Sequence, residues 1–477
     1  MREPLPLLPP SFQLPHLSRR VDLVWLLWRL FLLVAAPIWV PYAAWRLMVG
    51  RSRLGRTERF GGGTHLPPRP RPPLVRGWFH GVSVGEVEAL APVVSAWLER
   101  APKGSEFVVT STTVTGRARA EALYPQALYP QAIGRRFAPL DLPWTTARAL
   151  SRIQPSVLVL GESELWPSLL QQASRRAPIV LVNARISDRT LPRALRLRPL
   201  YAWMLRRVSA VGVQTPEDRL RFLRLGLDES RIVVTGNTKF DRRIPPLSPE
   251  ARASLRRELG IGEGLLIVAG STFAGEDELL LDALLQLRRE AGGSVANELG
   301  SLQLLLAPRH PERAPAVAQL VESKGLRLWR RSLGPFPITQ AAGFDAGIDA
   351  GVDVVLLDTV GELATVYGVA DVAVIGRSFR MGGGQNPLEP MAHGTPVVFG
   401  PRMENFREIA HLAETGGAAV RCVDEAELAP TLARLLRTPE ERARMSQAGP
   451  RILREHEGAA ARSADLILEV VRAAANA

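Results

Sequence analysis

Eleven short, almost wholly apolar runs recur along this chain, each leading into a turn of small or charged residues and then a stretch of helical periodicity. They are Trp78–His80, Phe107–Thr110, Val157–Leu160, Ile179–Val182, Ala210–Val213, Ile232–Thr235, Leu265–Ala269, Leu302–Ala307, Val354–Leu357, Val372–Ile375 and Pro396–Phe399. Runs this short without polar alternation are strands covered on both faces, as in parallel sheets flanked by helices. The rhythm therefore predicts a doubly wound α/β architecture. A Pro-containing polar stretch, Asp241–Pro249, interrupts it, and 477 residues exceed what one core organises, so two domains are expected, 76–246 and 247–477. Two such domains facing each other form a cleft at the carboxyl ends of their strands, where ligands of open sheets bind. The Gly/Ala-rich Ala341–Gly351 reads as a loop insertion, and the tandem Leu123–Gln126 and Leu128–Gln131 as a helix or loop expansion. The last helical pattern, Pro439–Ala475, is long enough to pack across both domains.

Ahead of these domains lie an anchor-like segment, 1–60, and a linker, 61–75, rich in proline and arginine. From Leu23 to Trp45 the chain is apolar except for Arg29, long enough for a helix to cross a hydrocarbon core. Pro37 and Pro41 would kink such a helix, so a monotopic hairpin or interfacial helix stands beside the spanning form. Trp25, Trp28, Trp39 and Trp45 suit a membrane interface. A cleaved signal peptide ending near Ala43 and Ala44 is the alternative; Trp45 and the following Arg46, Arg51, Arg53, Arg56 and Arg59 argue against it and for a cytoplasmic remainder.

The formal net charge of +13 calls for an anionic partner. Residues 1–60 hold nine arginines against Glu3, Asp22 and Glu58, a surplus of six, which points to anionic membrane lipids. No basic stripe with interleaved aromatics marks nucleic-acid binding. The single cysteine, Cys422, excludes an internal disulfide, and no Cys/His zinc pattern is present.

Chemistry-bearing residues cluster where runs end. Trp78-Phe-His80-Gly-Val-Ser83-Val-Gly-Glu86 passes from strand through turn to helix and places Glu86 in the helix's first turn, either as a base for a sugar hydroxyl or simply as a helix-start acid. The same Gly81-Val-Ser83-Val-Gly85 fits a nucleophile elbow, which makes an α/β-hydrolase the rival enzyme. Gly161-Glu162-Ser-Glu164-Leu-Trp166-Pro167 sets two carboxylates at a strand's end, as cleft groups or as solvated helix-cap acids. Gly236-Asn-Thr-Lys239-Phe-Asp241 carries one of only three lysines among 60 basic side chains, a compact cation in a glycine-containing loop. Downstream, Gly270-Ser-Thr272, Pro308-Arg309-His310, Asp358-Thr-Val360-Gly361-Glu362 and Gly382-Gly-Gly-Gln385-Asn386-Pro387-Leu388-Glu389 open helices with backbone N–H groups suited to phosphate. No P-loop and no G-x-G-x-x-G follows a strand, so NTP hydrolysis and NAD binding lose support.

In order and spacing, His80…Ser83-Val-Gly-Glu86, Glu162–Pro167, Asn183-Ala-Arg185, Gly236–Asp241, Pro308–His310, Gly361-Glu362-Leu363 and Asn386–Glu389 resemble the 3-deoxy-D-manno-octulosonic acid (Kdo) transferases of lipopolysaccharide biosynthesis. The resemblance implies a GT-B fold of two Rossmann-like domains, an N-terminal acceptor domain and a C-terminal nucleotide-sugar domain, behind a membrane anchor. It implies metal-independent, inverting transfer of Kdo from CMP-Kdo to a lipid A precursor at the cytoplasmic face of the inner membrane, with no cofactor. Glu86 would be the base, Glu162 and Lys239 would stabilise the transition state, and Pro308, Arg309, Val360, Gly361, Glu362, Asn386, Pro387, Leu388 and Glu389 would hold CMP. Ser168, Thr238 and Gln385 depart from the family's usual residues, and Gln385, which cannot become cationic, adjoins the expected nucleotide site. Another membrane-anchored GT-B glycosyltransferase with a different donor, and a non-enzymatic lipid-surface protein, are the remaining alternatives.

Overall fold

The computed structural model describes residues 7–9, 12–15, 22–48, 54–63, 66–242, 244–290, 301–337 and 351–476. They divide into two compact units, Met1–Arg242 with His456–Ala477, and Arg243–Glu455. The expected loop insertion at Ala341–Gly351 and the side chains of Arg46, Arg51 and Arg53 lie outside the described residues, apart from Gly351.

In the first unit, seven parallel strands run in the order β3-β2-β1-β4-β5-β6-β7. They are β1 (Arg76–His80), β2 (Glu106–Ser111), β3 (Ala132–Phe137), β4 (Val157–Gly161), β5 (Ile179–Ala184), β6 (Ala210–Val213) and β7 (Ile232–Val234). Alternate side chains feed opposite faces: Val157 and Val159 join one core, Leu158 and Leu160 the other. Both faces must then be covered, which explains the unbroken apolar runs. Strand β3 has no such run because it is an edge, with Ile133 and Arg135 only half buried. The tandem repeat is the loop feeding β3, where the rings of Tyr124 and Tyr129 meet edge-on at 5.3 Å.

The second unit repeats the plan in the order β10-β11-β9-β8-β12-β13-β14. Its strands are β8 (Leu266–Thr272), β9 (Gln303–Pro308), β10 (Leu328–Arg330), β11 (Val354–Leu356), β12 (Val372–Ile375), β13 (Val397–Phe399) and β14 (Ala419–Arg421). The two strands without an apolar run, β10 and β14, are again the edges. Strand order reverses between β1 and β4 in one sheet and between β8 and β12 in the other, the switch points at which open α/β sheets bind ligands.

The final helical pattern is two helices, Pro439–His456 and Ala459–Ala475, separated at Gly458, whose φ of +95° only glycine adopts easily. The second rejoins the first unit, unlike the sequence boundary that left it with the second domain: Ala460, Ala464 and Ile467 share a core with Val87, Leu90 and Val94. Asp241 caps it, accepting hydrogen bonds from the backbone of Gly458 at 2.6 Å and Ala460 at 2.9 Å. Asp241→Ala is expected to lower stability by about 1–2 kcal/mol, read as a drop in the urea midpoint; an unchanged midpoint would contradict the capping role.

The apolar segment, for which a spanning helix and a kinked or hairpin form both stood open, is two helices, Leu23–Val34 and Ala36–Met48, broken at Ala35. Pro37, at the start of the second, lacks the N–H that would continue the first. No helix among the described residues is long and apolar enough to cross a membrane.

Candidate active site

Helix Val84–Arg100 begins where β1 ends, at the first switch point, and Glu86 lies in its first turn. Its carboxylate folds back over the turn, accepting from the Val82 N–H at 2.6 Å and from the Ser83 hydroxyl at 3.0 Å. Burial pushes the Glu86 carboxyl up to about 7, and the charges of Glu164 and Glu162 add to the rise, while the Val82 and Ser83 hydrogen bonds offset part of it. A carboxylate so poised takes a proton near neutral pH more readily than an ordinary one. The Ser83 hydroxyl therefore serves Glu86. No hydrogen bond links it to a histidine among the described residues; the adjacent His80 is buried, pairs through Nδ1 with the Thr110 hydroxyl at 2.9 Å, and is held down to about 4 by that burial. The hydrolase reading lacks its base.

Across the switch point, β4 delivers Glu162 in a left-handed conformation, φ +52°, a strained geometry for a residue with a side chain. Its carboxylate pairs with Lys239 at 3.4 Å and Arg185 at 3.2 Å, so it is an ion-pair member and not a solvated cap. Lys239 is placed by its loop. Thr238 donates its N–H to the Asn183 side-chain oxygen at 3.0 Å and its hydroxyl to the Ala89 carbonyl at 2.8 Å, while Asn237 accepts from the Lys239 N–H at 3.1 Å. The loop is thus fastened both to β5 and to the helix that carries Glu86. Asn183 reaches it through a left-handed φ of +54° at an irregularity in the β5–β6 pairing. Glu164 accepts from the Trp166 indole at 2.6 Å, its carboxyl raised by burial, and Trp166 stands edge-on to His80 at 5.3 Å. Glu86, Glu162 and Lys239 accordingly belong to one constellation, with Glu164 beside them. The positioning roles of Asn183, Arg185 and Thr238 become visible only through the fold.

In the second unit the expected nucleotide residues occupy turns at the carboxyl end of the sheet. Pro308 ends β9, and the Arg309 N–H donates to the Thr272 carbonyl at 3.0 Å, leaving an exposed side chain. Val360 is 84% exposed, and Gly361 has φ +100° with open space where a side chain would begin, so this turn presents bare backbone. Glu362 accepts from the Thr359 hydroxyl at 2.5 Å and Arg331 at 2.9 Å. The Asn386 side-chain oxygen accepts from the Leu388 N–H at 3.1 Å in the turn that leads through Pro387 into the short helix Leu388–Ala392. Leu388 is buried, its N–H taken up by Asn386, and Glu389 lies close enough to Tyr367 to help burial raise that phenol. Glu276, read from the sequence only as the start of the helix after Gly270-Ser-Thr272, is the organiser of this region. The buried Glu276 accepts four backbone N–H bonds, from Phe273 at 3.0 Å, Arg377 at 2.7 Å, Ser378 at 3.0 Å and Phe379 at 3.1 Å, tying β8's turn to β12's across the second switch point.

A family model described as 3-deoxy-D-manno-octulosonic-acid transferase (kdotransferase) matches residues 52–242, and one for glycosyl transferases group 1 matches residues 345–452. A 3-deoxy-D-manno-octulosonic acid transferase of Bordetella pertussis is 35% identical over 425 residues, 88% of this chain and 92% of that protein. Its counterpart in Haemophilus influenzae is 32% identical over 420 residues, 87% of this chain and 91% of that protein. The UDP-GlcNAc 2-epimerase of Neisseria meningitidis, solved bound to UDP-GlcNAc, superposes with a TM-score of 0.52 at 12% identity, covering 83% of this chain and 99% of that one. That likeness concerns the fold alone and is consistent with a GT-B-like pair of parallel α/β domains. On the strength of relatives matched over most of their length, the chain belongs to the 3-deoxy-D-manno-octulosonic acid transferase family.

Proposed function

We propose that this protein transfers Kdo from CMP-Kdo to a glucosamine hydroxyl of a lipid A precursor in one inverting displacement, without a metal ion. The observation that carries the reading is Glu86, a half-buried carboxylate at a helix N-terminus whose proton affinity lies near neutrality. Glu86 takes the acceptor's hydroxyl proton as the oxygen attacks the anomeric carbon of Kdo. The bond from that carbon to the CMP phosphate breaks, CMP departs as an anion, and a single displacement inverts the centre. Negative charge grows on the leaving phosphate, and Lys239, held by Glu162, is the cation suited to offset it. Pro308 and Arg309, Val360 to Glu362 and Asn386 to Glu389 hold CMP, Arg309 through its exposed side chain and Val360–Gly361 through the open backbone of their turn.

The protein acts at the cytoplasmic face of the inner membrane, where anionic lipids meet its arginine surplus and its apolar N-terminal helices, which leave Leu23, Leu33, Val34 and Ile38 between 66% and 79% exposed. The reading is tested by supplying CMP-Kdo and a detergent-dispersed lipid A precursor to wild type and Lys239→Met. Wild type is expected to form Kdo-bearing lipid, and the variant to lose about 10²–10³ in kcat with KM for the acceptor within a few fold. A variant turning over at the wild-type rate would remove Lys239 from the transition state.

A further inference from the structure

We infer that the helical pair 23–48 is a monotopic anchor that dips into one leaflet and returns, so that the N-terminal arm lies on the same side of the membrane as the catalytic units. This rests on the membrane reading above and goes beyond it, since the composition of the segment admits a spanning helix equally well.

Three fastenings fix the path of the chain. Before the helices, the arm is docked on the first unit: the Leu7 and Leu8 N–H groups donate to the Glu469 carboxylate at 2.9 and 3.0 Å, Leu8 is buried, and Phe12 and Leu14 pack against the same core. At the start of the first helix, Asp22 accepts from the Trp25 N–H at 3.1 Å, from the Trp203 indole at 2.6 Å and from Arg207, while Trp25 stacks on Trp203 at 6.2 Å and the Trp28 indole donates to Ser168 at 3.1 Å. After the second helix the chain is fastened again: Glu58 accepts from the Phe137 N–H at 2.9 Å and from Arg117 at 2.6 Å, and Arg59 donates to the Thr112 carbonyl at 2.9 Å. Both ends of the pair therefore belong to one folded unit. A segment that leaves and rejoins the same soluble unit within 23–48 crosses a bilayer twice or not at all.

Length excludes two crossings. Helices of 12 and 13 residues reach about 18–20 Å, against a hydrocarbon core of about 30 Å. Exposure locates the insertion: Leu33 and Val34 at 71% and Ile38 at 79% flank the corner at Ala35, so the most exposed apolar side chains sit at the turn between the helices. The Trp39 indole, donating to the Leu32 carbonyl at 2.9 Å, closes that corner. The arginines that follow, Arg51, Arg53 and Arg56, carry the charge that an anionic headgroup layer attracts. One bilayer leaflet, apolar inside and anionic at its surface, is the occupant this corner fits.

The test uses the full chain in sealed membrane vesicles of both orientations, with a membrane-impermeant maleimide. Gln13→Cys reports the arm, Ile38→Cys the corner and Glu229→Cys the first unit; wild type, whose Cys422 is buried, is the blank. Gln13→Cys and Glu229→Cys are expected to label in the same vesicle orientation, and Ile38→Cys in neither until detergent is added. Labelling of Gln13→Cys from the face opposite to Glu229→Cys, or of Ile38→Cys without detergent in vesicle-bound protein, overturns the monotopic path while leaving membrane association intact. Protein recovered free of vesicles overturns both together.

Discussion

Replacing Glu86 with glutamine is expected to lower kcat about 10³-fold and to make the protein more stable at alkaline pH, both for one reason. Burial, with Glu164 and Glu162 nearby, raises the carboxyl to about 7, so the folded protein holds a proton that the unfolded chain releases in the ordinary carboxylate range. At acid pH both states are protonated and the group contributes its full stability. As pH climbs from that range through about 7 the contribution is lost, and above it the folded state carries a poorly solvated charge. Glutamine carries none and still pairs with the Val82 N–H through its oxygen and the Ser83 hydroxyl through its amide. After allowance for the solvent that reaches this half-buried group, the variant gains roughly 1–2 kcal/mol at about pH 8 and nothing at about pH 4. Thermal melts of both proteins across that interval check it. The same ionisation predicts that wild-type kcat/KM rises with pH and levels off above about 7. A variant that is inactive and no more stable at either pH would mean the carboxylate is not desolvated as described.

The second large effect is on the nucleotide unit. Glu276→Leu strips the acceptor from four backbone N–H groups within a buried region, an expected loss of about 3–5 kcal/mol, and frees the turns after β8 and β12 from each other. CMP binding should disappear with it. Glu276→Gln keeps the shape and one acceptor oxygen, so an intermediate loss is expected. Urea unfolding with a CMP titration measures both, and wild-type values for Glu276→Gln would show that the turns hold themselves.

The sequence carried the sheets' interiors because a strand with helices on both faces must be apolar throughout, as in β4 and β8. It did not carry β3, β10 and β14, three of the four edge strands, whose short mixed composition resembles a loop, whereas the fourth edge, β7, keeps an apolar run. Glu86, Glu162 and Lys239 were legible because each follows a strand in a short turn, where a charged residue has chemistry or solvent as its partner. Asp241 and Glu276 were not, for their partners are distant in sequence: Asp241 caps a helix 217 residues away and Glu276 holds a loop about a hundred residues on. The two broken helices follow from Pro37 and Gly458, but which surface each fragment then joins depends on side chains such as Trp203 and Asp22.

The decisive measurement is product formation from a lipid A precursor by the full chain, with CMP-Kdo or UDP-sugars as donor, in the presence of EDTA. Kdo-bearing lipid from CMP-Kdo alone, at a rate EDTA leaves unchanged and Glu86→Gln abolishes, is the predicted result. Transfer from a UDP-sugar instead, or a folded Glu86→Gln protein turning over as fast as wild type, would contradict it.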